Sequence, residues 1–100
     1  MDIRDNPQKQ RFEALLADGA VAVAEYRLSP GKIIFTHTEV PPEHEGEGIA
    51  SALIRFALDS ARARELEVVP LCPFVAAYMK KHAEVRDLLA PEWRFKLGFA

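Results

Sequence analysis

Residues 39–62, EVPPEHEGEGIASALIRFALDSAR, pass from the end of an extended segment through two prolines and a Gly-x-Gly into a long amphipathic run. Just upstream, residues 33–40 are β-branched and aromatic and read as a strand. Pro41 and Pro42 have no amide hydrogen to give to a sheet ladder, so they end it. From Ile49 onward, Ile49, Ala52, Leu53, Phe56, Ser60 and Ala61 recur at helical spacing, with Arg55, Asp59 and Arg62 on the other side. Residues 66–71, LEVVPL, follow as a buried strand, and Pro70 marks one side of it as not fully paired. Strand, helix and strand form a β-α-β unit with parallel strands and a right-handed crossover. That unit makes the chain an α/β domain with a mixed sheet.

Ahead of the unit, residues 20–28, AVAVAEYRL, predict a strand antiparallel to 33–40 across the turn Ser29-Pro30-Gly31. Asp18-Gly19 marks another tight turn, and residues 11–17 suit either a strand or a helix. Residues 2–10 are polar, contain Asn6-Pro7, and read as a leader or turn before the first ordered element. Beyond the unit, helices are expected over 74–82 and, shorter, over 83–89. The final stretch 91–100, PEWRFKLGFA, alternates Trp93, Phe95, Leu97 and Phe99 against Arg94, Lys96 and Gly98. Period two predicts a strand-like tail that closes its own sheet edge, pairs with a neighbouring chain, or simply packs.

A length of 100 residues suits one domain, residues 1–100, with a core over about 10–89 and no linker or repeat. The 49% hydrophobic and 28% charged content is that of a globular chain, and no apolar run reaches membrane-spanning length. A formal net charge of −2 gives no bulk electrostatic reason to bind nucleic acid or an anionic membrane. The start MDIRD lacks the marks of a secretory signal, and a single cysteine forms no internal disulfide, so a cytoplasmic setting is expected.

Gly46 and Gly48, between a strand and a helix, would leave unblocked amides at a helix N-terminus, which is an anion site. The alternative is a plain tight turn. Neither the P-loop nor the dinucleotide fingerprint fits, because no Lys-Ser or Lys-Thr follows the second glycine and Ser51 stands where a third glycine would.

Read from Val40 to Ala50, VPPEHEGEGIA resembles the acetyl-CoA signature V-x-P-E-[YH]-[RQ]-G-x-G-[IL]-[GA] of the GNAT-type N-acetyltransferases. With HTEV at 37–40 and VVPLCPFVAAYMKKHAEV at 68–85, the chain looks like the minimal, single-domain branch of that superfamily, over about residues 10–89. The resemblance implies a truncated acyl-CoA N-acyltransferase fold with acetyl-CoA as cosubstrate and no metal. It also implies that Thr38, Glu39 and Val40 flank the pantetheine arm. Glu45, Gly46, Glu47, Gly48, Ile49, Ala50 and Ser51 would meet the pyrophosphate, and Pro73 would lie at the cofactor. Glu45 departs from the usual Arg or Gln, and with Glu43 and Glu47 it sets three carboxylates near a polyanion, which weakens binding.

The same resemblance implies three catalytic candidates. Cys72, at the end of the second parallel strand, faces the ligand side of an open α/β sheet. It would attack the thioester or line the pocket, and its thiolate would need a cation or the dipole of the helix opened by Pro73-Phe74; otherwise it is a small buried hydrophobe. His37 is the general base candidate, because imidazole titrates near neutral pH and a protonated amine cannot attack. Strand parity, however, groups Ile33, Phe35, His37 and Glu39 on one face, so only a bulge or a favourable sheet face brings His37 to the cofactor. Glu39 is the reserve base, and Tyr78 resembles a general acid beside the leaving thiolate. His44 and His82 are expected at the surface, and Lys80 and Lys81 are candidates for the 3′-phosphate or a solvated face. No histidine and cysteine spacing suits a metal.

The activity implied is acetyl transfer to an amine of a protein or other exposed acceptor, by a monomer or weak dimer. The alternatives are a coenzyme A sensor without catalysis and a small interaction protein.

Overall fold

Ala22, Ala24 and Tyr26 are buried while Val21, Val23 and Glu25 between them are not, and this alternation sorts the sheet into two faces. The computed structural model describes residues 1–99. Five strands, β1 (Asp2–Asn6), β2 (Arg11–Leu15), β3 (Val21–Ser29), β4 (Lys32–Glu39) and β5 (Glu67–Pro70), lie side by side in chain order. The first four form an antiparallel meander, and β5 runs parallel to β4. Between these two strands, helix α1 (Ile49–Ala63) crosses the sheet. It buries Ile49, Leu53, Ile54, Ala57, Leu58 and Ala61 against a core that includes Phe12, Tyr26, Ile33 and Phe35. Each large side chain so buried is worth about 1.5–3 kcal/mol. The helical face is rotated from the one read in the sequence: Phe56 is 40% exposed and only edges onto the Phe12 ring at 6.0 Å.

β4 carries a bulge. Glu25 and Tyr26 are consecutive on β3, yet their partners are His37 and Phe35, so Thr36 is an additional residue on β4. Its hydroxyl donates to the Glu25 carbonyl at 3.3 Å. The extra residue reverses the parity of the rest of the strand. Thr38 joins Ile33 and Phe35 on the α1 face, and His37 and Glu39 turn to the opposite one.

Two expectations are corrected. Residues 2–10 are not wholly a leader or turn: the turn lies at 7–10, but Asp2–Asn6 is an edge strand in register with β2, and Asp5 accepts a hydrogen bond from the Tyr26 hydroxyl at 2.7 Å. Its polar composition suits an edge, where charged side chains discourage further pairing. The tail is not a strand either. Pro91–Lys96 is a short helix, α3, with Pro91 in its first turn. Trp93 and Leu97, four apart, pack on the core while Phe95 is 75% exposed, so the apolar alternation does not mark one face. The helix ends in a Schellman motif: the Gly98 amide donates to the Phe95 carbonyl at 3.0 Å and the Phe99 amide to that of Arg94 at 2.7 Å. Ala100 of the tail lies outside the described residues. The β5 edge is met by Leu89 and Ala90, the latter donating to the Val68 carbonyl at 2.9 Å.

Helix α2 (Pro73–Lys81) follows β5 and buries Val75, Tyr78 and Met79; the expected shorter helix is a 3₁₀ turn over Ala83–Leu88.

Candidate cofactor and catalytic site

The pairing of β4 with β5 stops at Phe35 and Pro70. Pro70 has no amide hydrogen to continue the ladder, and the chain turns away: the Leu71 amide donates to the Val69 carbonyl at 3.2 Å and the Cys72 amide closes on the Phe35 carbonyl at 2.9 Å. Beyond that point β4 runs on to Glu39 with no strand on its β5 side among the described residues. A free strand edge therefore leads from the sheet interior to the glycine loop.

At the end of that edge, residues Pro42–His44 make one 3₁₀ turn, and Gly46 and Gly48 take φ of 83° and 78°, where a side chain is strained. Gly48 is the N-cap of α1. No side chain caps this helix and its first turn holds no acidic residue, so the leading amides have neither a protein acceptor nor a competing carboxylate within the turn. A hollow of about 280 Å³ opens over them, lined by Val40, His44, Glu45, Gly46, Gly48, Ile49, Ala50, Ser51 and Phe74. Seven of these nine belong to the set expected to hold a cofactor. Of the three carboxylates on the loop only Glu45 lines this hollow. Glu47 faces another, with Met1, Leu16, Ala17, His44 and Ile49, and its carboxylate is bound to His44 Nδ1 at 2.9 Å.

The catalytic candidates are divided by the bulge. Cys72 is 4% exposed at the N-cap of α2, and its Sγ lies 3.4 Å from Thr38 Oγ1 on the α1 face. His37 and Glu39, both well exposed, lie on the other face with Nε2 and Oε1 3.1 Å apart. The two faces of the sheet at the β4–β5 gap thus carry different chemistry. Tyr78 is buried, and its oxygen accepts from Arg55 Nε at 2.8 Å while Arg55 also pairs with Glu84. Its ring stacks on His82 at 4.1 Å between centroids, and beside it Ser51, Phe74, Ala77 and Lys81 line a second hollow of about 210 Å³. Pro73, in the first turn of α2, is exposed and lines neither hollow.

A family model for GCN5-related N-acetyl-transferase matches residues 11–88, the span from β2 through the 3₁₀ turn after α2. The chain belongs to the GCN5-related N-acetyltransferase family. Protein NATD1 of Mus musculus is 30% identical to this family member over 83 residues, covering 80% of this chain and 74% of the relative. A GCN5-like protein of Staphylococcus aureus, solved in solution by NMR, shares the fold at a TM-score of 0.70 with 23% identity, over 89% of this chain and 87% of that one. The mixed sheet expected from the sequence is therefore that of this family. The cosubstrate of GCN5-related N-acetyltransferases, acetyl-CoA, carries a diphosphate and an extended amide-bearing arm, and the residues present fit both: uncapped amides for the anion, a free strand edge for the arm.

Three contributors were not singled out in the sequence. Phe74 projects between the two hollows, 38% exposed. Arg55 holds the Tyr78 oxygen. His44, expected at the surface, is only 18% exposed and bridges Glu47 to Asp18, whose Oδ2 is 2.7 Å from Nε2. The signals that could have found them were the helical spacing of Arg55 opposite the apolar face, the place of His44 in the glycine-loop signature, and Phe74 at the start of the helix after Cys72.

Proposed function

We propose that this protein is an acetyl-CoA-dependent N-acetyltransferase that acts on a primary amine of a macromolecule. The observation that carries the proposal is the uncapped start of α1, framed by two left-handed glycines, at the end of a β4 edge that β5 has released. In this reading the amides of Ile49, Ala50 and Ser51 hold the diphosphate, helped by the helix dipole, and the β4 edge from Thr38 to Val40 hydrogen-bonds the pantetheine arm. Acetyl-CoA supplies an acyl group activated as a thioester.

The chain's own residues then manage the protons. With Nε2–H donating to Glu39, the Nδ1 lone pair of His37 is left free to take a proton from the attacking amine. As the new C–N bond forms and the C–S bond breaks, the leaving thiolate takes a proton. Tyr78 is the donor, because its oxygen already accepts from Arg55 and its own hydrogen is uncommitted. Cys72 lines the site rather than attacking: a thiolate nucleophile wants a nearby cation, and the side-chain partner of Cys72 is the Thr38 hydroxyl. Acceptor access from the His37 side, where both carboxylate and imidazole are exposed, supports a bulky acceptor such as a protein lysine or N-terminus.

Calorimetric titration with acetyl-CoA, followed by thiol release on adding amine acceptors, tests this. Binding together with amine-dependent release is expected. Binding without release under any acceptor would leave a coenzyme A sensor, and no binding would remove the proposal.

A further inference from the structure

His44 sits where two loops meet. Its Nε2 is 2.7 Å from Asp18 Oδ2, in the turn between β2 and β3, and its Nδ1 is 2.9 Å from Glu47 Oε1, between the two glycines. Carboxylates only accept, and a neutral imidazole has one N–H, so both contacts are hydrogen bonds only when the ring is the imidazolium. Asp18 is itself fixed, its Oδ1 accepting from the Ala20 amide at 3.0 Å. Over residues 39–48 the chain carries Glu39, Glu43, Glu45 and Glu47, and His44 is the one side chain there able to be positive.

We propose that His44 is a positioning residue for the cofactor site: as the imidazolium it ties the glycine loop to the β2–β3 turn and holds the Glu47 carboxylate away from the amides of α1, so affinity for coenzyme A falls as His44 loses its proton. This rests on the diphosphate site proposed above and adds what sets its strength. When His44 is neutral, one of the two contacts goes, and Glu47 regains an unpaired charge next to a polyanion.

The charged groups that face the ring are Asp18 from the β2–β3 turn and Glu47 from the loop, while Glu45 and Met1 line the two hollows that His44 adjoins. No lysine or arginine lines either adjoining hollow among the described residues. The bond to Glu47, then that to Asp18, hold the imidazole's proton above its ordinary value near 6.5. A raised folded value means the clamp is fully present below about pH 6.5 and is lost as pH rises through the higher folded value.

The test is coenzyme A titration of the full chain from pH 6 to 9, in the wild type, His44→Gln and Asp18→Asn, with the His44 ring followed by NMR. The coenzyme's own phosphate titrates alike in all three, so the wild-type minus His44→Gln difference is read. Expected is a wild-type affinity loss of about tenfold across the range, absent in His44→Gln, with the midpoint lowered in Asp18→Asn; by reciprocity the His44 midpoint rises about one pH unit on binding. A pH profile in His44→Gln that superimposes on the wild type, or an unmoved His44 resonance titration on binding, overturns the inference while leaving the diphosphate site intact. Coenzyme A that fails to bind the wild type at every pH overturns both.

Discussion

Thr38 Oγ1 lies 3.4 Å from Cys72 Sγ, across the point where β4 and β5 part. The contact exists because the bulge at Thr36 turns Thr38 inward, and it gives the thiol a hydroxyl rather than a cation as its side-chain partner. Cys72→Ala is therefore expected to keep acetyl-CoA binding and to retain turnover within roughly tenfold, since no covalent step is lost. Mass spectrometry of the wild type after acetyl-CoA addition checks the same point. An acetyl adduct on Cys72, with turnover abolished in the alanine variant, would reinstate the acyl-enzyme route.

His37→Gln keeps a polar side chain on that face of β4 but removes the proposed base. A fall in kcat of about 10²–10⁴ with an unchanged KM for acetyl-CoA is expected. Steady-state thiol release at saturating cofactor measures it. An unchanged kcat would move the proton to Glu39 or to water.

At Gly48 the added methyl of an alanine would meet nothing within 4 Å, so the cost of Gly48→Ala is conformational and not steric crowding. A non-glycine residue in this left-handed conformation costs about 1–2 kcal/mol. Thermal unfolding should show the stability loss. Coenzyme A affinity should fall with it as the leading amides of α1 shift, and an affinity identical to wild type would place the anion elsewhere.

Glu13 is 3% exposed and accepts from Arg11 Nε at 2.8 Å and from Asn6 Nδ2 and Arg4 Nε, each at 3.2 Å. Arg11 first, then Asn6 and Arg4, hold its carboxyl below the ordinary value despite the opposing effect of burial. A depressed folded value stabilises above the unfolded value of about 4.3 and is lost as pH falls through the folded one. Glu13→Gln should thus lower stability at pH 7 by about 1 kcal/mol, a Tm decrease of roughly 4–8 °C. Melting curves at pH 7, 5 and 3 should show the two proteins converging toward the acid end. A constant gap would assign the loss to packing alone.

Trp93 packs on the core from α3, with Lys96 Nζ 4.6 Å from its ring centre. Trp93→Ala is expected to cost about 2 kcal/mol, read as a lower denaturation midpoint with an unaltered gel-filtration volume. A changed volume with no loss of stability would restore the tail to a role between chains.

The β-α-β unit was legible because each of its parts carries a local signal: Pro41-Pro42 stops β4, the apolar spacing from Ile49 sets α1, and Val68-Val69 reads as a covered strand. The left-handed turn ahead of α1 was legible for the same reason, since Gly46 and Gly48 advertise backbone conformation directly. The features that escaped depend on partners. Asp2–Asn6 is a strand only because β2 pairs with it, and its polar residues carry no signal alone. Thr36 gives no sign of a bulge, which arises from how β4 fits β3. Trp93, Phe95, Leu97 and Phe99 mimic a strand by spacing, and Pro91 at a helix start with Gly98 at its stop outweighed that spacing. His44 looked like a surface residue because Asp18 is 26 positions away in the chain.

The order of strands has a kinetic side. β1 to β4 are joined by short connections, so the meander can zip from neighbours in sequence at little loop-closure cost. β5 docks on β4 only after residues 40–66 have been spanned by the loop and α1. The gap proposed to receive the cofactor has β5 as one wall, so it comes into being with the longest-range strand pairing of the fold. Coenzyme A bound there would be a reporter of complete folding, and its appearance in a refolding experiment would lag behind the pairing of β1 to β4 in the meander.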